Sequence, residues 1–154
     1  MSVKYVHTNL IARSWQRLAA FYQDVFGCLP VPPQRDLSGD WLVRATGVPG
    51  AHLQGVHLRL PGWGDGGPTL EIFQYEPEAE RLPPAANRPG FGHIAFEVAD
   101  IQQVIRTVEA AGGGRVGEVA QRTIAGAGRI EFAYLTDPEG NIIEVQKWYL
   151  EGKS

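Results

Sequence analysis

The sequence predicts an α+β fold made of two tandem βαβββ modules. Three observations predict it. Segments alternating with period two are interleaved with segments whose apolar residues fall at helical spacing. The same order of elements occurs twice. Key residues also keep their spacing in both copies: His7 to Ser14 and His93 to Asp100 are each seven residues, and Ser14 to Gly27 and Asp100 to Gly113 are each thirteen.

In the first copy, "VKYVHTNL" alternates like a strand. Ser14 is placed to cap the helix "WQRLAAFYQDVF", in which Trp15, Leu18, Phe21, Tyr22, Val25 and Phe26 share a face and Gly27 is the stop. A Pro-rich bend is expected at Leu29–Pro33. The segment "RDLSGDWLVRATGVPG" is compatible with a short helix. "AHLQGVHLRL" and "TLEIFQY" then read as strands joined by the Gly-rich hairpin loop "PGWGDGGP". In the second copy, "GFGHIAFEV" is a strand and Asp100 caps "IQQVIRTVEAAG", which Gly112–Gly114 end. A short strand near "RVGEVAQ", the glycine-containing loop "TIAGAG", the strand "RIEFAYLT", the turn "DPEGN" and the strand "IIEVQKWY" complete it. The chain is read as a single domain over 1–154, with module one at 1–76, a linker rich in Pro, Ala and charge at 77–89, and module two at 90–154.

Composition narrows the function classes. At 154 residues, 44% hydrophobic and 20% charged, the chain can bury an ordinary core and is not of disordered type. A net charge of −3 and a pI near 5.8 give no support for nucleic-acid binding. No apolar run approaches the ~18 residues of a membrane span, and "MSVKYVHTNL" lacks the apolar core of a signal peptide. The expectation is a cytoplasmic protein with neither a nucleic-acid nor a membrane partner. Cys28 is the sole cysteine, so no internal disulfide forms. It sits at a helix end with no base nearby in sequence, which makes it a poor nucleophile.

The chemistry-bearing pattern is one His in the first strand and one Glu in the last strand of each module. Alternation puts His7 on a face with Tyr5 and Asn9, Glu71 with Thr69 and Phe73, and Glu144 with Ile142 and Gln146. In every case the more continuously apolar face is the other one, which is expected to meet the helices. A carboxylate among apolar neighbours is costly to desolvate unless paired or coordinated. His7, Glu71, His93 and Glu144 are therefore candidate ligands of one divalent metal per site. Such a mixed N/O set suits Zn, Ni, Co, Mn or Fe(II) without choosing among them.

These stretches carry a family resemblance. "VHTNLIARSWQRLAAFYQDVFG", "TLEIFQY", "GFGHIAFEVADIQQV" and "LTDPEGNIIEVQ" resemble the opening and closing segments of vicinal oxygen chelate modules, the glyoxalase/bleomycin resistance/dioxygenase fold. The resemblance spans nearly the whole chain. It implies an eight-stranded, cup-like mixed sheet with helices outside and a divalent metal in the cup. His7, Glu71, His93 and Glu144 match its ligand stations. It implies a small-molecule substrate with neighbouring oxygens and a lyase or isomerase reaction through a metal-stabilised enolate. By resemblance to glyoxalase I, Glu144 and then Glu71 are the candidates to move the proton. A homodimer is the expected assembly, with the site inside one chain or across two. Where glyoxalase I carries an Arg four residues after the first ligand, used for the glutathione carboxylate, this chain has Ile11, which argues against glutathione. The module plan fits methylmalonyl-CoA epimerase equally well.

Two other classes are set beside this reading. An Fe(II) extradiol-type dioxygenase needs two His and one carboxylate, so a fourth ligand counts against it. A non-catalytic bleomycin-resistance-like binder typically lacks the ligand set. His52 and His57, five apart in one strand, fall on opposite faces and are read as surface or hydrogen-bonding residues. Trp41, Trp63, Phe73, Phe91 and Phe132 are candidates for an apolar pocket. The glycines of "TIAGAG" would permit a lid.

Overall fold

The computed structural model describes residues 2–150. The chain divides into two compact units, the first running to Arg81 and the second starting at Leu82. Each is an α+β module with a mixed sheet.

The first unit contains β1 (His7–Ile11), α1 (Trp15–Phe26), β2 (Leu29–Ser38), α2 (Asp40–Thr46), β3 (His52–Arg59) and β4 (Thr69–Glu76), with strand order β1-β4-β3-β2. β1 runs parallel to β4, and the other pairs are antiparallel. α1 starts where the Ser14 hydroxyl accepts from the Arg17 N–H, and it stops at Gly27, whose φ of 68° is left-handed. Its Leu18, Ala19, Phe21 and Tyr22 are buried. They face the side of the sheet that carries Val56, Leu58, Leu70 and Ile72, which are buried as well. The Pro-rich stretch is part of a strand rather than a bend. β2 is an edge strand, where proline's missing N–H costs no ladder bond, and its register slips between Val31 and Arg35, at the prolines.

α2 lies within the segment compatible with a short helix. Leu42 of this helix packs with Ala51, Leu53 and Phe73 in a buried cluster flanked by Leu37, Val43, Val48 and Tyr75. Leu53 and Phe73 belong to the same sheet face as His57 and Glu71. The polar face is thus covered by apolar packing at one end and left to its polar side chains at the other.

The second unit contains β5 (Ile94–Glu97), α3 (Ile101–Ala110), β6 (Gly114–Arg115), β7 (Ala120–Ile124), β8 (Gly128–Thr136) and β9 (Ile142–Tyr149). The order is β5-β9-β8-β6, with β7 also paired to β8. β6 and β7 lie along the same edge of β8, at Thr136–Leu135 and at Phe132–Gly128 respectively. They are one strand of the βαβββ plan, interrupted at residues 116–119. This interruption makes nine strands where eight were expected. The "TIAGAG" segment is mostly hairpin: Thr123 and Ile124 pair with Arg129 and Gly128. Asp100 accepts from the Gln103 N–H at 2.9 Å to start α3. Past its end, Gly113 lies so close to Thr136 that a Cβ there would sit 2.3 Å from that carbonyl oxygen. Ile101, Ile105 and Val108 are buried, as are Ala133, Leu135, Ile143 and Val145 of the sheet. Both first strands are shorter than the alternation suggests: β1 begins at His7 and β5 just after His93.

Among the described residues no helix is long and apolar enough to cross a membrane.

The turn between β8 and β9 is organised by Asp137. It is 2% exposed, and its carboxylate accepts from the N–H groups of Glu139 and Asn141, both at 2.9 Å, and from the Asn141 amide at 2.6 Å. Asp137→Ala leaves these donors without an acceptor. It should lower stability by about 3 kcal/mol, seen as a lower urea midpoint at an unchanged slope.

A second polar cluster sits on the other face of β3. His52 Nε2 lies 2.6 Å from Asp36 Oδ1, its Nδ1 is 3.8 Å from Glu76, and the Gln54 amide donates to Asp36 at 3.0 Å. The hydrogen bond to Asp36 raises the His52 pKa above 6.5, and the bonds from His52 and Gln54 lower that of Asp36. The His52 contribution to stability is therefore complete below pH 6.5 and disappears as pH rises through its raised value. The Asp36 contribution is present above 3.8 and disappears as pH falls through its lowered value. Thermal midpoints at about pH 5.5 and about pH 8.5 should fall more steeply in the wild type than in His52→Ala. Parallel behaviour of the two proteins would remove this account.

Candidate metal centre

In the first unit, the register of β4 against its two neighbours assembles the site. Glu71 lies opposite Asn9 on one side and His57 on the other, and His7, opposite Thr69, is diagonal to it. All four side chains share one sheet face. The Glu71 side chain is 13% exposed. Its Oε1 is 3.0 Å from His57 Nε2, and its Oε2 is 3.5 Å from His7 Nε2 and accepts from Asn9 Nδ2 at 2.8 Å. The His57 ring is anchored at its other nitrogen, with Nδ1 3.1 Å from Thr69 Oγ1. It meets the rings of His7 and Phe73 edge-on, at centroid distances of 5.8 and 5.9 Å.

Gly55 makes this packing attainable. A Cβ there would lie 2.5 Å from the Phe73 ring and 2.0 Å from the Ile72 carbonyl oxygen. Without one, Phe73 can lie over β3 against His57.

Burial is the main influence on His57 and holds it below the usual histidine pKa; the Glu71 charge pulls upward, while Arg35 and His7 push downward. Tyr75 is raised, first by burial and then by Glu71. Burial thus favours the neutral imidazole, which has one nitrogen able to serve as a Lewis base.

In the second unit, His93 Nε2 is 2.9 Å from Glu144 Oε2, and the Glu144 side chain is also 13% exposed. Glu144 lies opposite Ala95 and Tyr134. The His93 and Tyr134 rings are 5.0 Å apart, and Phe132 packs edge-on against Tyr134. The structure thus brings His7 together with Glu71 and His93 together with Glu144.

The two modules place their His–Glu pair alike but surround it differently. Asn9 and His57 stand where the second module has Ala95 and Tyr134. Glu71 has three polar neighbours, and Glu144 pairs with His93. His57 is the residue that sequence reading left out. Its signal was present in the hairpin: strands pairing symmetrically about Gly64 set residue 57 opposite residue 71.

The donor chemistry fits a divalent cation. Among the described residues, His7, His57 and Glu71 each bring one ligand atom to within 4.8 Å of the others. Separations of 3.0 and 3.5 Å from Glu71 to the two imidazoles suit ligands bound at about 2.0–2.2 Å.

The comparisons with known proteins agree with this architecture. The family model for the Glyoxalase/Bleomycin resistance protein/Dioxygenase superfamily matches residues 4–145. The chain belongs to this superfamily. A curated relative within reach of sequence comparison is Glyoxylase I 4 of Arabidopsis thaliana, 26% identical over 142 residues, which cover 90% of this chain and 67% of that protein. Among solved structures, a glyoxalase family protein from Bacillus cereus superposes with a TM-score of 0.80 at 18% identity, covering 96% of this chain and 95% of that one. A fosfomycin resistance protein from Listeria monocytogenes gives 0.59 at 19% identity, with 98% of each chain covered. At these identities the structures establish the shared superfamily fold.

Other candidates resolve plainly. Arg13 is ion-paired with Glu78 at 3.1 Å. Trp41, Trp63 and Phe91 are exposed, and Phe73 is buried in the α2 cluster. Cys28 is 1% exposed, and burial pushes its thiol up to about 11. A native sample should therefore leave Cys28 unmodified by a disulfide reagent at neutral pH, with full reaction on denaturation. Rapid modification of the native protein would contradict this assignment.

Proposed function

We propose that this protein is a divalent-metal-dependent lyase or isomerase acting on a small substrate with neighbouring oxygens. Its proposed ligands are His7, Glu71, His93 and Glu144, drawn from one chain or from two chains of a homodimer in the cytoplasm. The observation that carries the reading is the repeated diagonal pair, His7 with Glu71 at 3.5 Å and His93 with Glu144 at 2.9 Å. A solitary pair is common in β-sheets, whereas the same pair at equivalent stations of two repeats points to a shared task.

When bound, the divalent ion supplies Lewis-acid chemistry, polarising the substrate oxygens so that an adjacent C–H becomes acidic. The remaining work belongs to side chains. Glu144 is the proposed base. Its carboxylate pairs with one imidazole, while that of Glu71 is also held by Asn9 and His57, so Glu144 is the freer of the two to take and return a proton. Tyr134 and Phe132 present aromatic surface beside it, which limits water at the reacting carbon. Arg13 is engaged by Glu78 and Ile11 is apolar, which supports a substrate other than a glutathione adduct.

Two measurements test the reading. Protein purified without chelator should carry bound metal or take up Ni, Co, Mn or Zn. The loaded protein should then catalyse solvent deuterium exchange into a carbonyl or thioester substrate, with hemithioacetals of methylglyoxal and methylmalonyl-CoA as the first screen. Glu144→Gln should slow that exchange by about 10²–10⁴-fold. No metal uptake sinks the proposal. Oxygen consumption with catechols and ferrous ion, without exchange, would favour the dioxygenase reading instead.

A further inference from the structure

We infer that Arg122 binds an anionic group at the far end of the substrate, a carboxylate or phosphate several bonds from the reacting carbon. The inference rests on the metal-dependent reading above and extends it from the reacting end of the substrate to the remote end.

Strand pairing places the residue. Side chains opposite one another in an antiparallel pair share a face. Glu144 lies opposite Tyr134, and Arg122 lies opposite Ile130, which has Trp148 on its other side. Tyr134, Phe132 and Ile130 alternate along β8, so all of these residues belong to the polar face of the second sheet. β7 and β9 flank β8, and the backbones of Arg122 and Glu144 stand about 14 Å apart along it and about 10 Å across it. The surface between them is largely apolar. The Phe132 ring packs on that of Tyr134, Ile130 is buried and Trp148 is partly buried. Side chains extended toward each other shorten the span without closing it, which sets the anionic group well away from the reacting carbon.

Charge pairing singles out Arg122. Six arginine and lysine residues lie in strands: Arg35, Arg59, Arg115, Arg122, Arg129 and Lys147. Five of them are engaged within the chain. Arg35 donates to the Pro33 carbonyl, Arg59 pairs with Asp65 at 3.0 Å and Arg115 with Glu109 at 2.6 Å. Arg129 donates to the Gln121 amide oxygen at 3.0 Å, and Lys147 donates to the Ala99 carbonyl at 2.8 Å. Arg122 is exposed and has no ion pair or hydrogen bond among the described residues. Of the three cations on β7, β8 and β9 it alone stands on the polar face, because Arg129 and Lys147 alternate with the residues of that face. Its guanidinium offers a planar fork of donors that matches a carboxylate or phosphate in two parallel hydrogen bonds. An anionic group meets Glu97 and Glu144 on the β5 and β9 side of this face and Arg122 on the β7 side, so charge orients the substrate.

Two hydroxamates of equal chain length test this by binding rather than turnover. Octanohydroxamate and the monohydroxamate of suberic acid share a chelating head with neighbouring oxygens, and only the second ends in a carboxylate. Titrated by calorimetry into the Co(II)-loaded full chain, the carboxylated probe should bind about tenfold more tightly than the other. Arg122→Gln should bring this ratio to about one, and Arg122→Lys should keep a preference, because the charge remains. Arg106→Gln removes the same charge from an exposed position of α3 and should leave the ratio as in the wild type, which separates local contact from net charge. Unchanged thermal midpoints verify that the variants fold. If the wild type binds both probes equally, or if the preference persists in Arg122→Gln, the inference is overturned while the metal-dependent reading stands. If neither probe binds, or the wild-type protein takes up no divalent ion, the metal-dependent reading fails and the inference fails with it.

Discussion

The pairing register of the two closing strands is the constraint on which the site depends. β4 and β9 each lie between two neighbours, and each carries one carboxylate between apolar residues that the helix side needs. A slip of one residue would send Glu71 into the packing under α1 and bring Leu70 or Ile72 to the polar face. Burial of Leu70, Ile72, Ile143 and Val145 therefore fixes the register, and the register fixes where the carboxylates point. The positions of the proposed metal donors follow from hydrophobic packing on the opposite side of the same sheets.

Much of this was legible in the residues. Ser14 and Asp100 cap helices as their side chains suggest, because N-cap chemistry is local. The repeat could be read from spacing, since modules of one plan place equivalent residues at equal intervals. What escaped was non-local. His57 looked like half of an unmatched pair with His52, and along the strand it is. Its importance comes from β4 across the hairpin, and pairing across a sheet leaves no mark within one strand. A Pro-rich stretch suggests a bend, because proline opposes sheet pairing. At an edge, one side of the strand needs no partner, and β2 runs through. The βαβββ plan also hid the division of one strand into β6 and β7, where the break falls among exposed residues.

The modules show how a duplicated framework supports unequal duties. Both sheets keep the diagonal His–Glu geometry, and both back it with a helix. On the polar face they differ in the side chains that flank the carboxylate. An amide and an imidazole restrain Glu71, whereas an aromatic wall and one histidine surround Glu144. One carboxylate is held by three polar neighbours and the other pairs with one histidine, although the two closing strands follow the same pairing plan.

The parallel pairing of β1 with β4 has a further meaning for how the module comes together. His7 and Glu71 are separated by nearly the whole unit, and β1 has nothing to pair with until β4, the last strand, is in place. Closing so long a loop is entropically demanding, and contacts of this kind tend to form late. β1 is also a five-residue edge strand with largely exposed positions, the sort of element that opens first in local unfolding. His7, a proposed ligand, is thus carried on a short and largely exposed edge strand. An ion shared between His7 and Glu71 would act as a latch on that edge, coupling the order of the amino-terminal strand to occupancy of the site.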